Sequence, residues 1–185
     1  MTSSDHRSEM PSAQSRSAQS TLAQGTTPQS VEVFADRQPN PWRVELGDWP
    51  TLRACAAPIR LEVFVHEQLV PIAEEIDALD PLCVHAVAFD AKGRALATGR
   101  LLPNGHVGRM AVLKGMRAQG LGRAVLTALV QQARQQGFGE VVLSAQTHAQ
   151  GFYLRHGFVP EGAEYLDANI PHVLMRKALT GCRAL

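Results

Sequence analysis

The chain has 185 residues, of which 45% are hydrophobic and 19% charged, and its formal net charge is +1. This length fits one domain of ordinary size. A nearly neutral chain without a basic patch argues against a nucleic acid partner, so we expect a small molecule or a single side chain as substrate. No run approaches the roughly 18–20 apolar residues of a membrane span, and the N-terminus lacks the apolar core of a secretion signal. We therefore expect a cytoplasmic protein with no membrane partner.

The cysteines give a second exclusion. Cys55, Cys83 and Cys182 are an odd number and show neither a Cys-x-x-Cys pair nor a Cys/His ligand spacing. This pattern argues against a disulfide framework and against structural zinc. We expect no metal.

Residues 1–41 are rich in Ser, Gln, Thr, Ala and Pro, with few large apolar side chains. Such a segment cannot bury enough surface to offset the entropy lost on ordering. We predict a disordered extension over 1–41 and a single domain over 42–185. The apolar patch at 31–34 could still dock on that domain.

The first half of the domain predicts one helix and a strand meander. A short strand from Trp42 leads to Asp48, a candidate N-cap, and then to a helix that reaches about Glu67 and is interrupted or kinked at Pro58. An acidic loop covers 69–81. Strands follow at 84–90, 94–102 and 106–112, and Asn104-Gly105 is a strong hairpin signal between the last two.

The second half alternates strands and helices. Apolar residues at helical spacing predict a helix over 120–136, namely Leu121, Val125, Leu126, Leu129 and Val130. A strand at 140–144 precedes a short helix that ends on Gly157, and further strands begin at Phe158 and Ile170. A meander followed by strand–helix alternation predicts a mixed α/β sheet.

The turn between the strand at 107–112 and the following helix is a candidate anion site. The first amides of a helix have no intrahelical acceptor and lie at the positive end of its dipole. Gly120 and Gly122 would let the backbone approach a phosphate, and Arg117 could add a charge-assisted contact. Taken alone, the pattern also fits a glycine-rich turn that merely begins a helix.

Two motifs in this order resemble the GNAT superfamily of acyl-CoA-dependent N-acyltransferases. The first is Arg117-x-x-Gly120-x-Gly122, and the second is Phe152-Tyr153-x-x-x-Gly157-Phe158. The resemblance extends over about 42–179, although Lys114 stands where many relatives carry proline. Three further segments are similar to the ElaA-type branch of this superfamily: Arg60 to Gln68, Glu75-Ile76-Asp77 with Asp80, and Ile170-Pro171-His172 with Met175.

The resemblance implies a GNAT-like fold, a mixed and mostly antiparallel sheet of six to seven strands flanked by helices. Its splayed central strands would form the acyl-CoA cleft. It also implies acetyl-CoA as co-substrate, held at the pyrophosphate by the turn and along the pantetheine by backbone groups of Met110 and Val112. The turn residues so implied are Arg117, Ala118, Gln119, Gly120, Leu121, Gly122 and Arg123.

The resemblance places the hydroxyl of Tyr153 beside the thioester sulfur, where it would protonate the leaving thiolate. The alternative for Tyr153 is a core tyrosine with a surface hydroxyl. The implied reaction transfers acetyl to a primary amine of a small molecule or peptide by direct attack in a ternary complex. The sequence leaves the acceptor and the oligomeric state open, as monomer or homodimer.

An amine with a pKa of about 10.4 is almost entirely protonated at pH 7, so the enzyme must remove a proton. The chemically able groups are Glu67, Glu75, Asp77, His85, His106, His148 and His172. The resemblance puts the acidic loop over the acceptor pocket, so Glu75 and Asp77 are candidate substrate ligands, as is His172. The alternatives are a solvated acidic face, a structural histidine, and deprotonation through a water chain.

Two other functions remain open. One segment also resembles a pattern found in acyl-homoserine lactone synthases, through Arg60, Phe64, Glu75, Asp77 and Asp80. Against that reading stand the turn from Arg117 to Gly122 and Tyr153, which those synthases do not typically share. The second alternative is a module that binds coenzyme A without catalysis, since a fold does not dictate its function.

Overall fold

The structure, a computed structural model, describes residues 29–30 and 42–179. Its larger sheet is antiparallel, with strands in the order of the chain. They are β1 (Gln29–Ser30), β2 (Arg43–Gly47), β3 (Val84–Phe89), β4 (Ala95–Leu101) and β5 (Val107–Val112). The predicted hairpin at Asn104-Gly105 is confirmed, since Gly105 has φ 83° and the flanking strands pair.

The short strand β1 lies in the segment predicted to be disordered, and it pairs with the end of β2. The rest of 1–41, including the apolar patch at 31–34, lies outside the described residues. So does 180–185, which contains Cys182. Cys55 and Cys83 are both free thiols.

The smaller sheet contains β6 (Glu140–Gln146), β7 (Val159–Asp167) and β8 (Ile170–Ala178), with β8 in the middle. The two sheets meet at one parallel bridge between His106 and Val142, where the amide of Val142 donates to the carbonyl of Gly105 at 3.3 Å. Beyond that bridge β5 and β6 form no ladder in the described chain. The predicted mixed α/β fold with splayed central strands is therefore confirmed.

The helices are α1 (Trp49–Arg60), a π-helix (Leu61–Glu67), α2 (Ile72–Glu75), α3 (Leu121–Gln135) and α4 (Gln150–Arg155). Asp48 caps α1 as predicted, because its carboxylate accepts from the amide of Thr51 at 3.0 Å. Of the interruption or kink predicted at Pro58, the interruption is wrong: the helix continues through the proline and widens to a π-helix after Arg60. Proline removes one donor, which an otherwise well-packed helix tolerates.

Helix α3 lies across the core and contacts strands of both sheets. Its predicted apolar stripe is buried throughout, from Leu121 to Val130. Burying each such side chain contributes about 1.5–3 kcal/mol. Because α3 spans the junction, it fixes the two sheets although their strands are joined at a single bridge. None of the described helices is long and apolar enough to cross a membrane.

Candidate active site

Strand β5, which borders the gap, carries a bulge in its pairing with β4. Its register with β4 shifts so that Arg109 and Met110 lie opposite Gly99 alone. Arg109 has φ 52°, an unusual value for a residue other than glycine. Gly99 lets side chains pack closely on β4 here, since a Cβ at that position would lie 2.6 Å from the sulfur of Met110. The bulge redirects the backbone next to the gap, as bulges beside active sites commonly do.

The turn before α3 has the geometry of an anion cradle. Gly120 has φ 90° at the N-cap, and a Cβ built there meets no atom within 4 Å. No side chain caps the helix, and its first backbone bond is donated by Ala124 to the carbonyl of Gly120. The amides of Leu121, Gly122 and Arg123 therefore have no acceptor among the described residues. Open space in front of unpaired amides suits a phosphate.

Side chains hold the turn from outside. The indole of Trp42 donates to the carbonyl of Gln119 at 3.1 Å. The side-chain amide of Gln119 donates to the carbonyl of Gly115 at 3.3 Å. Ala118 has φ 61°, so two of three consecutive residues have positive φ. Successive residues of such a turn present their amides to one side, which is a recurring anion-binding arrangement.

Arg117 is partly exposed and is already paired. Its guanidinium donates two hydrogen bonds to the carboxylate of Glu67, at 2.7 and 2.6 Å. Its Nε donates to the carbonyl of Val112 at 3.1 Å. These hydrogen bonds lower the pKa of Glu67 and raise that of Arg117. The π-helix therefore brings a carboxylate onto the side chain that the sequence assigns to phosphate.

Tyr153 lies on α4 and is 8% exposed. Its ring contacts Phe152 at 4.9 Å between centroids, edge to face. Phe152 in turn lies against the cradle, because its Cζ is 3.6 Å from a Cβ built on Gly122. Burial raises the pKa of Tyr153 to about 12, and its hydroxyl has no hydrogen-bond partner among the described residues. The hydroxyl is thus protonated at neutral pH and free to donate.

Most of the acidic loop is exposed, but two of its carboxylates, those of Glu75 and Asp80, are buried and are not part of a solvated face. Glu75 is 2% exposed and Asp80 is fully buried, and both are bound by Arg60. The Nε of Arg60 lies 2.6 Å from Glu75, and its terminal nitrogens lie 2.7 and 3.1 Å from the two oxygens of Asp80. Burial raises the pKa of Glu75, against the opposing charges of Arg109 and Arg60. For Asp80, the hydrogen bonds from Arg60 and Arg100 outweigh burial and lower the pKa.

Two strand arginines complete this ion network. Arg100 on β4 binds both oxygens of Asp77, at 2.8 and 2.7 Å, and also Asp80 at 2.7 Å. Arg109, at the bulge, lies 3.1 Å from the carboxylate of Glu75 and 3.2 Å from that of Asp77. The pKa of Asp77 falls to about 2, mainly because of the hydrogen bonds from Arg100. Three carboxylates thus meet three guanidinium groups, so Glu75 and Asp77 carry no unpaired charge for a cationic amine.

Sequence reasoning missed Arg100 and Arg109 as site residues. A signal was present, since both lie on strands that otherwise consist mostly of small or apolar residues, downstream of the acidic loop at 69–81. Charged side chains on a core strand are rarely buried without partners. The network ties the acidic loop directly to the bulge.

Two of the candidate histidines lie away from the open cleft. His85 is 1% exposed, packs on Trp49 at 4.7 Å between ring centroids, and places Nε2 2.9 Å from the carbonyl of Asp80. Burial lowers its pKa, so its neutral form is favoured. His106 lies at the bridge where β5 and β6 meet, and its Nδ1 is buried without a partner.

His172 lies beside the open end of the cleft. It pairs with Gln146, the last residue of β6, and with Tyr165 on β7. Gln146 exchanges two side-chain hydrogen bonds with Gln68, at 2.8 and 3.4 Å. Tyr165 stacks on the His172 ring at 6.1 Å and its hydroxyl bonds to Ser144. We call this set the polar face: Gln68, Ser144, Gln146, Tyr165 and His172.

Within residues 29–30 and 42–179, no three His, Cys, Asp or Glu side chains are grouped so as to hold a metal ion. The polar and charged groups around the cleft are bound to one another or open to solvent. They can bind an anion at the cradle, donate a proton from Tyr153 and offer hydrogen bonds on the polar face.

The sequence and the fold are similar to those of known proteins. Residues 51–179 match the family described as an acetyltransferase (GNAT) domain. The Bacillus subtilis protein named "Uncharacterized N-acetyltransferase YjcF" is 41% identical over 123 residues, which cover 64% of this chain and 87% of that protein. The crystal structure of an acyl-CoA N-acyltransferase from Pseudomonas aeruginosa is 34% identical, with a TM-score of 0.66 over 74% of this chain and 99% of that one.

Escherichia coli ElaA has the same fold at 22% identity, with a TM-score of 0.66 over 74% of this chain and 99% of that chain. The splayed strands, the glycine turn before α3 and the tyrosine of α4 are the features that the sequence resemblance implied. With the family match covering 51–179, they lead to one conclusion. The chain belongs to the GNAT acetyltransferase family and is an N-acetyltransferase.

Proposed function

We propose that the protein transfers an acetyl group from acetyl-CoA to a primary amine of a small molecule or peptide, by direct attack in a ternary complex. The observation that carries this proposal is the open cradle at Gly120 next to the gap between β5 and β6, with Tyr153 packed on Phe152, which lies against the cradle. One continuous site would then bind the pyrophosphate, the pantetheine and the leaving sulfur, in the order in which they follow one another along acetyl-CoA.

The cradle binds the pyrophosphate through the amides of 118–123, and the dipole of α3 favours the negative charge. The edge of β5 binds the pantetheine, because its backbone groups toward the gap have no strand partner beyond the bridge. Met110 and Val112 lie on that edge. The bulge at Met110 aims backbone polarity at the thioester carbonyl, whose oxygen becomes negative as the amine attacks.

Tyr153 donates a proton to the departing sulfur. The thiol of coenzyme A has a pKa of about 8.5, and its thiolate leaves more readily when a nearby group donates a proton to the sulfur. A hydroxyl that is protonated at neutral pH can donate that proton. We propose that Glu75 and Asp77 serve the acceptor site by fixing the loop and the bulge, because their charges are already compensated by arginines. The polar face, with His172, receives the acceptor.

The test is release of free thiol from acetyl-CoA with a panel of primary amines, alkyl and peptidyl, against protein-free controls. Saturable turnover that depends on the amine supports the proposal. Tight binding of acetyl-CoA without turnover would favour a non-catalytic module. Lactone formation with S-adenosylmethionine and an acyl carrier would favour the synthase alternative.

A further inference from the structure

We propose that Nε2 of His172 is the base that takes the proton from the acceptor amine. This assignment rests on the proposed function, because it supplies the proton acceptor which that reaction requires. It starts from the elimination of the other candidate groups by their contacts.

None of the three candidate carboxylates is free to take a proton from an amine, because each is held by arginine. Glu67 is held by two hydrogen bonds from Arg117, and Asp77 by two from Arg100. Glu75 is buried between Arg60 and Arg109. Protonating such a carboxylate breaks its charged hydrogen bonds to arginine, and the free energy lost with them exceeds the free energy gained by taking the proton.

Two histidines are excluded by position. His85 lies in the core with Nε2 directed at a backbone carbonyl, and His106 lies at the closed end of the gap. His148 and His172 remain. His148 is exposed on the 3-10 helix Thr147–Ala149 and has no hydrogen bond to a described residue, so nothing fixes its ring.

The ring of His172 is fixed, and its hydrogen bond defines its tautomer. Nδ1 lies 2.8 Å from the carbonyl oxygen of Ile170. A carbonyl oxygen only accepts, so Nδ1 must carry the hydrogen and Nε2 must carry the lone pair. Stacking on Tyr165 holds the plane of the ring. His172 is 8% exposed as a whole, but its Nε2 has no partner among the described residues and is not fully buried.

The surroundings of His172 leave this lone pair available. The neighbouring strands contribute polar side chains, namely Ser144 and Gln146 from β6 and Tyr165 from β7. His148 lies on the 3-10 helix that packs on β8. None of the described ion pairs includes His172. An imidazole with a free, solvent-reached Nε2 is the ordinary general base of enzymes.

The step balances without a further reactant. The acceptor arrives as an ammonium ion and gives one proton to Nε2 of His172, from which it passes to solvent. The nitrogen lone pair then forms the C–N bond, and the C–S electron pair goes to sulfur. Sulfur takes the hydroxyl proton of Tyr153, and the second proton leaving the nitrogen restores that hydroxyl. The products are the amide, coenzyme A and one proton.

The kinetic test compares His172→Asn with the matched control His148→Asn. Asparagine keeps a donor for the Ile170 carbonyl but removes the basic nitrogen. With a primary alkylamine at pH 7, we expect kcat of His172→Asn to fall on the order of 10²-fold with KM for acetyl-CoA unchanged. The defect should shrink toward pH 9.5, where the amine supplies its own free base. With methoxyamine, which is unprotonated at neutral pH, the loss should stay below about threefold.

His148→Asn should retain its kcat throughout. An equal loss in His172→Asn with both amines, or no loss at all, would overturn the assignment while leaving the proposed function intact. A larger loss in His148→Asn would move the base to that residue. No thioester turnover by the unaltered protein with any amine would overturn the proposed function and this assignment together.

The tautomer can be tested without turnover and without a variant that must be active. Long-range 1H–15N correlation spectra of histidine-labelled protein at pH 8 separate the two neutral tautomers, and the signal missing in His172→Asn identifies the residue. We expect hydrogen on Nδ1 of His172. Hydrogen on Nε2 would overturn the assignment, since the nitrogen that solvent reaches would then be a donor.

Discussion

The carboxylate of Glu67 and the guanidinium of Arg117 form a two-bond ion pair across 50 residues of sequence. It joins the end of the π-helix to the phosphate cradle. Both side chains are partly exposed, at 30% for Glu67 and 41% for Arg117, so the pair is screened by water and contributes little to stability. Under the proposed function, its effect would lie in the charge that it presents to the pyrophosphate of acetyl-CoA.

We expect Glu67→Gln to tighten acetyl-CoA binding about two- to fivefold, because the pyrophosphate no longer shares Arg117 with a carboxylate. Titration calorimetry at low ionic strength measures this. Glu62→Gln is the control, since Glu62 lies on the same π-helix, is exposed and makes no described ion pair. Weaker binding in Glu67→Gln would mean that Glu67 holds Arg117 in its binding position instead of competing for it.

Gly120→Ala should weaken acetyl-CoA binding about tenfold or more, because its methyl group enters the open cradle. Gly137→Ala is the matched control: its φ is 83° against 90° for Gly120, and a Cβ at either position meets no atom within 4 Å. Both variants should lose about 1 kcal/mol of stability from the positive φ. Gly120→Val should act like Gly120→Ala, more strongly. Equal affinities in the Gly120 and Gly137 variants would place the pyrophosphate elsewhere.

Tyr153→Phe removes the hydroxyl and keeps the ring packing, so melting temperature and acetyl-CoA affinity should change little. We expect kcat to fall on the order of 10²-fold. Because the pKa of Tyr153 is raised to about 12, the hydroxyl stays protonated and its titration should not limit kcat below about pH 10. A variant that melts several degrees lower at full kcat would make the hydroxyl a structural group.

Arg60→Ala should cost about 3–5 kcal/mol of unfolding free energy, because it leaves Glu75 and Asp80 buried without their main partner. Arg94→Ala breaks an exposed pair with Asp90, in which Arg94 is 68% exposed, and should cost less than about 1 kcal/mol. Urea denaturation of both variants measures the difference. Similar costs would mean that the buried network adds no stability beyond a surface pair.

The same network predicts acid sensitivity. The pKa of Asp77 is about 2 in the folded protein against 3.8 for the free side chain. The folded state therefore holds this proton less tightly than the unfolded state, and the resulting stability is present above about pH 4 and is lost as pH falls toward 2. At pH 7 the Asp77→Asn variant should melt at a lower temperature than the unaltered protein. Between pH 7 and pH 3 its melting temperature should fall by less than that of the unaltered protein. The prediction is contradicted if the melting temperatures of the variant and of the unaltered protein fall in parallel as the pH is lowered.

Local signals predicted most of the fold. Three predictions that depend only on neighbouring residues are confirmed: the apolar stripe of α3, the hairpin glycine and the N-cap at Asp48. The widening of the first helix after Arg60 was not predictable, because it depends on what the turn packs against. Long-range partners decided the rest: the acidic loop looks solvated in sequence, and only the fold brings Arg100 and Arg109 to it.

Among the described residues, β5 and β6 are joined at one bridge, between His106 and Val142. A change in the angle between the two strands would therefore take place about this bridge. From Val142 to Gln146 the strand extends for four residues, a lever of about 13 Å at 3.3 Å per residue. A rotation of about 5° at the bridge would move the tip of β6 by about 1 Å, roughly the increment that one further methylene in an acyl chain requires. Such a rotation would be resisted by α3, which contacts strands of both sheets, and by the Gln68–Gln146 hydrogen bonds at the tip of β6, so these contacts set how far the gap can widen at that end.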